Sequence, residues 1–200
     1  MKKALIMTWS GFQDQEVIYP YYRLQEEGFE VSIMSDKMPN KSVDMMLYKH
    51  PDLLPIADRL YDNKVVGIFG IGFETNYNYN DLYFHFVDDF SLLVLPGGVK
   101  ALEKLRQQTY VLEFIKNWNE KKKIIASTCH GAQLLISSKI IKGRKISGYY
   151  SIKNDIENAG GIYVDEPAVI DDNIISSPHY KHMGMWMKET IRIYNNFNGD

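Results

Sequence analysis

The sequence predicts an α/β fold: a mostly parallel sheet with helices on both of its faces. Two observations carry this expectation. Short continuous apolar runs such as ALIM (4–7), SLLVL (91–95) and IIAS (124–127) lack the alternation of a half-exposed strand and read as strands buried on both faces. Between them lie stretches with apolar residues at helical spacing, and strands that alternate with helices imply parallel neighbours joined by crossovers.

The elements follow in order. ALIM is the first strand. Residues 15–27 (QEVIYPYYRLQEE) carry Val17, Ile18, Tyr21 and Leu24 at helical spacing, and Gly28 is a C-terminal stop. FEVSIM (29–34) is the second strand, completing a β-α-β unit. Residues 36–63 are polar and punctuated by proline, with room for one or two short helices, and read as an insertion after the second strand. KVVGIFGIGF and then TNYNYNDLYFHF follow within 64–90. The alternating Asn and Tyr at 76–80 suit an exposed hairpin or edge strand, a surface ribbon rather than a binding element. SLLVLPGG (91–98) is a strand ending in a turn, and 99–121 is helical with a break near Gln108–Thr109. IIAS leads into a helix beginning GAQLLISSKI. KISGYY (145–150), PAVI (167–170) and NIISS (173–177) read as further strands, and an amphipathic helix over about 181–196 closes the chain.

Two hundred residues suit one domain spanning 1–200, with 36–63 as an insertion within it. The chain is 45% hydrophobic with a formal charge of −2, which gives no electrostatic reason to expect nucleic acid or an anionic membrane surface. No apolar run approaches the ~20 residues that span a bilayer. MKKALIMTWSGF superficially resembles a signal peptide. Ser10, Gln13, Asp14 and Gln15 follow at once without a small-residue cleavage site, so a first buried strand in a cytoplasmic protein is expected. The single cysteine excludes an intrachain disulfide and multi-cysteine zinc sites. The five histidines (50, 85, 130, 179 and 182) leave room for a histidine–carboxylate metal site, but none shows a spacing such as H-E-x-x-H that argues for one; no metal and no cofactor are expected.

Ligands of open parallel sheets gather beyond the carboxyl ends of the strands. Three loops there carry chemistry: TWSGFQDQE (8–16), LPGGVKALE (95–103) and ASTCHGAQ (126–133). Cys129 sits between a strand and a helix, among Ser127, Thr128, Gly131 and Ala132, the small neighbours that a sharp nucleophile-bearing turn requires. A helix start favours an anion, so a thiol there can be lowered below its free value of about 8.5. The alternative is a buried, inert cysteine. The backbone N–H of His130 suits half of an oxyanion hole, and its imidazole suits a base, although adjacent residues at a turn usually point apart. Gly97 and Gly98 allow close backbone approach, and the Gly98 N–H is the candidate second donor. Glu16 in the first turn of its helix is explained by the helix dipole alone, or by a hydrogen bond to the sulfur of Cys129. His179 and His182 read as surface histidines at a helix start.

These residues resemble a family. ASTCHGAQLL is similar to the elbow of the ThiJ/PfpI (DJ-one/PfpI) superfamily, of the class I glutamine-amidotransferase-like folds, and specifically to its PfpI-like branch. FQDQEVIYPYYRLQEEGFEVSIMS, LLVLPGG, GRKISGYYSIKNDIENAGG and NIISSPHYKHMGMWMKE extend the resemblance over most of 3–35 and 91–195. It implies a flavodoxin-like three-layer sandwich in which Cys129 is the nucleophile or redox-sensitive thiol. Glu16 would be a protonated acid hydrogen-bonded to the thiolate, and Gly98 and His130 the oxyanion donors. Glu103, one residue farther along than the pattern, would be the acid that reaches a neighbouring subunit's histidine, and Tyr149 a tyrosine near the thiol. SSPHYKH departs from the SSRxPxD usual at the last strand, and His179 invites comparison with the late histidine of glutamine amidotransferases. The resemblance also implies a homodimer or higher homo-oligomer.

The expected function is a cysteine-dependent enzyme acting on a carbonyl or amide, as a deglycase, a glyoxalase-like enzyme, a hydrolase or a peptidase. Its substrate would be a small carbonyl or amide compound or a modified protein. The alternatives are a non-enzymatic redox or stress sensor or chaperone built on an oxidisable cysteine, and an amidotransferase-like or isonitrile-hydratase-like biosynthetic enzyme.

Overall fold

A computed structural model describes residues 2–57, 62–82 and 86–198. In chain order the elements are β1 (Lys3–Met7), α1 (Asp14–Glu26), β2 (Glu30–Ser35), α2 (Asn40–Lys49), β3 (Lys64–Val66), β4 (Gly72–Glu74) and β5 (Tyr77–Asn78). Then come α3 (Phe86–Asp89), β6 (Leu92–Leu95), α4 (Val99–Leu105), α5 (Thr109–Glu120), β7 (Ile124–Thr128) and α6 (Ala132–Ser137). The chain continues through β8 (Lys145–Ile146), α7 (Lys153–Asn158), β9 (Ile162–Tyr163), β10 (Val169–Asp171), β11 (Ile174–Ser177) and α8 (Met183–Asn198).

The main sheet runs β10-β11-β7-β6-β1-β2-β5, parallel throughout except for the antiparallel β10–β11 edge. Its central strands are buried on both faces, as their unbroken apolar runs require. Helices α1 and α8 pack together on one face, while α4, α5, α6 and α7 contact one another on the other. This is the three-layer α/β architecture the sequence predicts. Trp118 and Trp186 are fully buried, and each satisfies its indole N–H on a strand carbonyl, Ile124 O at 3.0 Å and Ile175 O at 3.2 Å.

Three expectations change. NYNYN does supply an edge strand, the two-residue β5, but it is not an exposed surface ribbon, because Tyr79 turns into the core. Its hydroxyl donates to Thr8 O at 2.6 Å and to Met34 O at 3.3 Å, and its ring stacks on Trp9. A buried tyrosine with its polar tip satisfied outweighs the alternation. The hairpin of this region is instead β3–β4, a separate antiparallel pair. KISGYY contributes only Lys145–Ile146, which pairs with β9 in a small sheet of its own. Within 36–63 the chain forms α2 and a 3-10 turn over Pro51–Ile56, whereas 58–61 lie outside the described residues, as does His85.

Candidate active site

The topology itself marks one crevice. From β1 the chain moves outward to β2 on one side, and β6 then pairs on the opposite side of β1. The carboxyl ends of β1 and β6 therefore flank the point where the strand order reverses, where open sheets take their ligands. The loops after β1, β6 and β7 are neighbours at this edge.

The β7 loop forms an elbow. Thr128 is extended, Cys129 has φ 55, and Cys129–Gly131 make a 3-10 turn before α6 begins. A left-handed conformation at a non-glycine residue costs on the order of 1–3 kcal/mol. Here it lifts the cysteine out of line with its strand. The PGG turn is pressed against this elbow: a Cβ on Gly97 would fall 2.6 Å from Glu16 Oε2, 2.9 Å from Cys129 Cβ and 3.0 Å from His130 N. Only glycine lets the three loops meet so closely.

Glu16 is 0% exposed and Cys129 7%. Glu16 Oε2 accepts the Gly97 N–H at 2.6 Å. Its Oε1 has no nitrogen or oxygen partner, so the thiol is the carboxyl's remaining hydrogen-bond neighbour. Burial raises the Glu16 carboxyl to about 7, against the lowering effect of the Gly97 and Cys129 hydrogen bonds. Burial also pushes the Cys129 thiol up, helped by the Glu16 charge and opposed by the His130 N–H. The helix-start expectation of a lowered thiol is thus reversed. Only a 3-10 turn and a six-residue helix follow the sulfur, and their dipole is smaller than the cost of burying a thiolate. Above pH 7 the carboxyl is mostly ionised while the thiol keeps its proton, so the pair holds one proton between them.

Because Gly97 N–H is taken by Glu16, the Gly98 N–H is left without a protein acceptor among the described residues, and the His130 N–H faces the sulfur. His130 does not point away from its neighbour: Nδ1 lies 3.4 Å from Cys129 Sγ, and Nε2 lies 3.5 Å from Ser151 Oγ. Burial lowers its imidazole, and the charge of Glu103 partly offsets this from within the same chain. No hydrogen bond joins Glu103 to His130 among the described residues; Glu103 is exposed and lies 3.9 Å from Arg106. The Tyr149 N–H donates to Cys129 O at 3.2 Å, and the ring lies 5.0 Å from that of His130. Tyr149 in turn lies 5.6 Å from the His179 ring, so among the described residues His179 is linked to the site through the tyrosine. His179 Nδ1 accepts the Lys181 N–H, capping a turn. Ser151 and the buried carboxylate Asp14 escaped the sequence reading, since neither belongs to a short-range pattern.

Among the described residues no group of three or more histidine, cysteine or carboxylate side chains could hold a metal ion, and no helix is long and apolar enough to cross a membrane. A family model described as the DJ-1/PfpI family matches residues 2–193. The chain is 35% identical over 194 residues to "Deglycase TK1284" of Thermococcus kodakarensis, covering 96% of this chain and 98% of that one. It is 33% identical over 191 residues to "Deglycase PfpI" of Pyrococcus furiosus, with the same coverage of 96% and 98%. Among solved structures, a two-domain protein of Anabaena variabilis with DJ-1/ThiJ/PfpI-like and ferritin-like domains matches with a TM-score of 0.79 at 25% identity. That match covers 96% of this chain and 48% of the larger one, about half its length.

Proposed function

The chain belongs to the DJ-1/PfpI family, and from that premise we propose that it is a cysteine-dependent enzyme that attacks a carbonyl carbon, with the deglycase activity named for its relatives as the foremost form. The observation that carries the reading is the fully buried Glu16 carboxyl held on the Gly97 N–H beside the chain's one thiol. A carboxyl raised to about 7 is half ionised at neutral pH, where a general base works best.

In the proposed step the sulfur forms a bond to the carbonyl carbon, the thiol proton passes to the Glu16 carboxylate, and the carbonyl π pair moves to oxygen. The Gly98 and His130 N–H groups are the donors for that oxyanion. His130, kept neutral by burial, is available to accept a proton from an attacking water or to steer its approach. An adduct of a dicarbonyl such as methylglyoxal with an amine or thiol, which keeps its second carbonyl, and an amide both offer the carbonyl carbon this step needs. Replacing Cys129 by Ser lowers turnover of methylglyoxal-derived adducts or an amide by at least about 10³-fold on this reading. Activity that survives Cys129→Ser would overturn it.

A further inference from the structure

The chemistry above depends on backbone segments keeping their places, and one of them is held from outside the main sheet. Residues 11–13 form the wall on which the Gly97–Gly98 turn is seated. Gly98 has φ 113, and a Cβ there would fall 2.7 Å from both Gln13 N and Phe12 Cα. Gln13 N–H donates to Gly97 O at 3.2 Å. This wall lies beyond β1, which ends at Met7, so sheet hydrogen bonds do not fix it.

The β3–β4 hairpin does. Gly11 N–H donates to Val66 O at 2.8 Å, and Ile68 N–H donates to Phe12 O at 2.9 Å. Asp14, only 2% exposed, completes the grip. Its Oδ2 accepts the Phe69 N–H at 2.9 Å and its Oδ1 the Ile71 N–H at 3.0 Å. Gly67 packs so tightly on this carboxylate that a Cβ would lie 2.5 Å from Asp14 Cγ.

We infer that the β3–β4 hairpin is a clamp on the active site and that Asp14 is the positioning residue that closes it, holding residues 11–13 so that the Gly98 N–H and the Glu16 carboxyl stay aligned with Cys129. The hairpin buries Val65 and Phe73 but leaves Ile68, Ile71 and the 69%-exposed Phe69 outside, so burial does not seat its tip. Directional bonds to one carboxylate do, and a carboxylate is tolerated in a buried place only when its oxygens are satisfied in this way. On the far side of the same loop Ser10 is tied to Asp36 through its N–H at 3.0 Å and its hydroxyl at 2.9 Å. Opening the clamp therefore frees residues 11–13 while the start of the loop stays attached.

The inference rests on Cys129 and Glu16 working as a pair, so its test reads that pair without requiring turnover. Cys129 is alkylated with iodoacetamide across pH 5–9 in the wild type, in Asp14→Asn and in Gly67→Ala, beside amide hydrogen exchange, melting temperature, kcat and KM. Asp14→Asn turns one acceptor into a donor facing an N–H, and Gly67→Ala drives a methyl into the carboxylate. The expected result is faster exchange over 66–71, and a pH dependence of alkylation, set in the wild type by ionisation of Glu16 as base to the thiol at about 7, that moves to lower pH as water reaches the carboxyl. The expected kcat is roughly tenfold lower, with KM within about twofold of the wild type. Either variant suffices should the other fail to fold. Faster hairpin exchange with an unchanged alkylation profile and unchanged kcat would overturn the inference. So would hairpin amides that stay as protected as in the wild type, since Asp14 would then close nothing. A wild type that alkylates with a midpoint near 7 yet turns over no carbonyl would sink the proposed function and leave the clamp to be judged on alkylation and exchange.

Discussion

The two flanks of Cys129 are built in opposite ways. On one side the sulfur meets Glu16, sealed from solvent and held at 2.6 Å by a backbone N–H in a turn too tight for any side chain at Gly97. On the other it meets the His130 ring at 3.4 Å, which meets Ser151 at 3.5 Å and then a row of half-open rings through Tyr149 to His179. The first flank is fixed by backbone geometry and its titration is set by burial. The second is fixed by ring packing and by contacts at the long end of hydrogen-bond range. The difference teaches where precision is kept: on the proposed reading the proton chemistry falls to the dry side, and the aromatic side is the more exposed of the two.

The largest effect is expected from breaking the dry side. Glu16→Gln keeps an acceptor for the Gly97 N–H but removes the base, and kcat falls by about 10²-fold or more. The rise of activity through pH 7 disappears with it. Stability gives an independent reading with a definite sign. The folded carboxyl is raised from 4.5 to about 7, so the native state binds more protons than the unfolded one between those values. The contribution of Glu16 to wild-type stability is full below about 4.5 and is lost as pH rises through about 7. At about 1.4 kcal/mol per pH unit this amounts to on the order of 3 kcal/mol. Denaturant titrations at pH 4.5 and 8 should show this slope in the wild type and its loss in Glu16→Gln, which becomes the more stable protein at pH 8. Parallel pH profiles for the two proteins would mean that Glu16 is an ordinary carboxylate, and the contrast between the flanks would collapse.

What the sequence made legible follows the same division. ALIM, LLVL and IIAS announce themselves because a strand buried on both faces is apolar on successive residues rather than alternating. The elbow is legible because a sharp turn needs small neighbours around Cys129. β8 is legible only in part, as the first two residues of the longer strand expected over KISGYY, and β9 not at all, since two residues carry no periodicity; Tyr79 departs from its alternation, which cannot say which ring finds Thr8 O. The thiol's direction was misjudged for a related reason: a helix start is visible in a sequence, whereas the depth of its burial is a property of the fold. Asp14 and Glu16 read alike as acids of a first helical turn. Their separate partners, the tip of a hairpin some 55 residues on and a glycine 81 residues on, are set only by long-range packing.

The aromatic side should break more gently. His130→Ala removes the ring that lies against the sulfur but leaves the backbone N–H proposed as an oxyanion donor. Turnover is expected to fall roughly tenfold, an order of magnitude less than the loss of the buried base. The pH midpoint near 7 should persist, because it belongs to Glu16. A His130→Ala protein as inactive as Glu16→Gln, with the midpoint gone, would transfer the proton chemistry to the histidine.

The smallest effect belongs to His179. Its ring is separated from Cys129 by Tyr149, and burial and the neighbouring charges of Lys181 and His182 lower its titration, so it is neutral at pH 7. Its Nδ1 is occupied with the Lys181 N–H at 3.2 Å. A ring committed to capping its own turn cannot also take a proton from the sulfur through a tyrosine. His179→Ala should change turnover by less than about threefold, while losing the cap costs about 1 kcal/mol, a drop of about 2–4 °C in melting temperature for a chain of this size. A glutaminase assay on the same variant sharpens the point. If glutamine is hydrolysed by the wild type and that activity vanishes in His179→Ala, the aromatic flank carries the catalytic base for an amidotransferase-type reaction. Melting that moves while both activities stay is the outcome a turn-capping histidine requires.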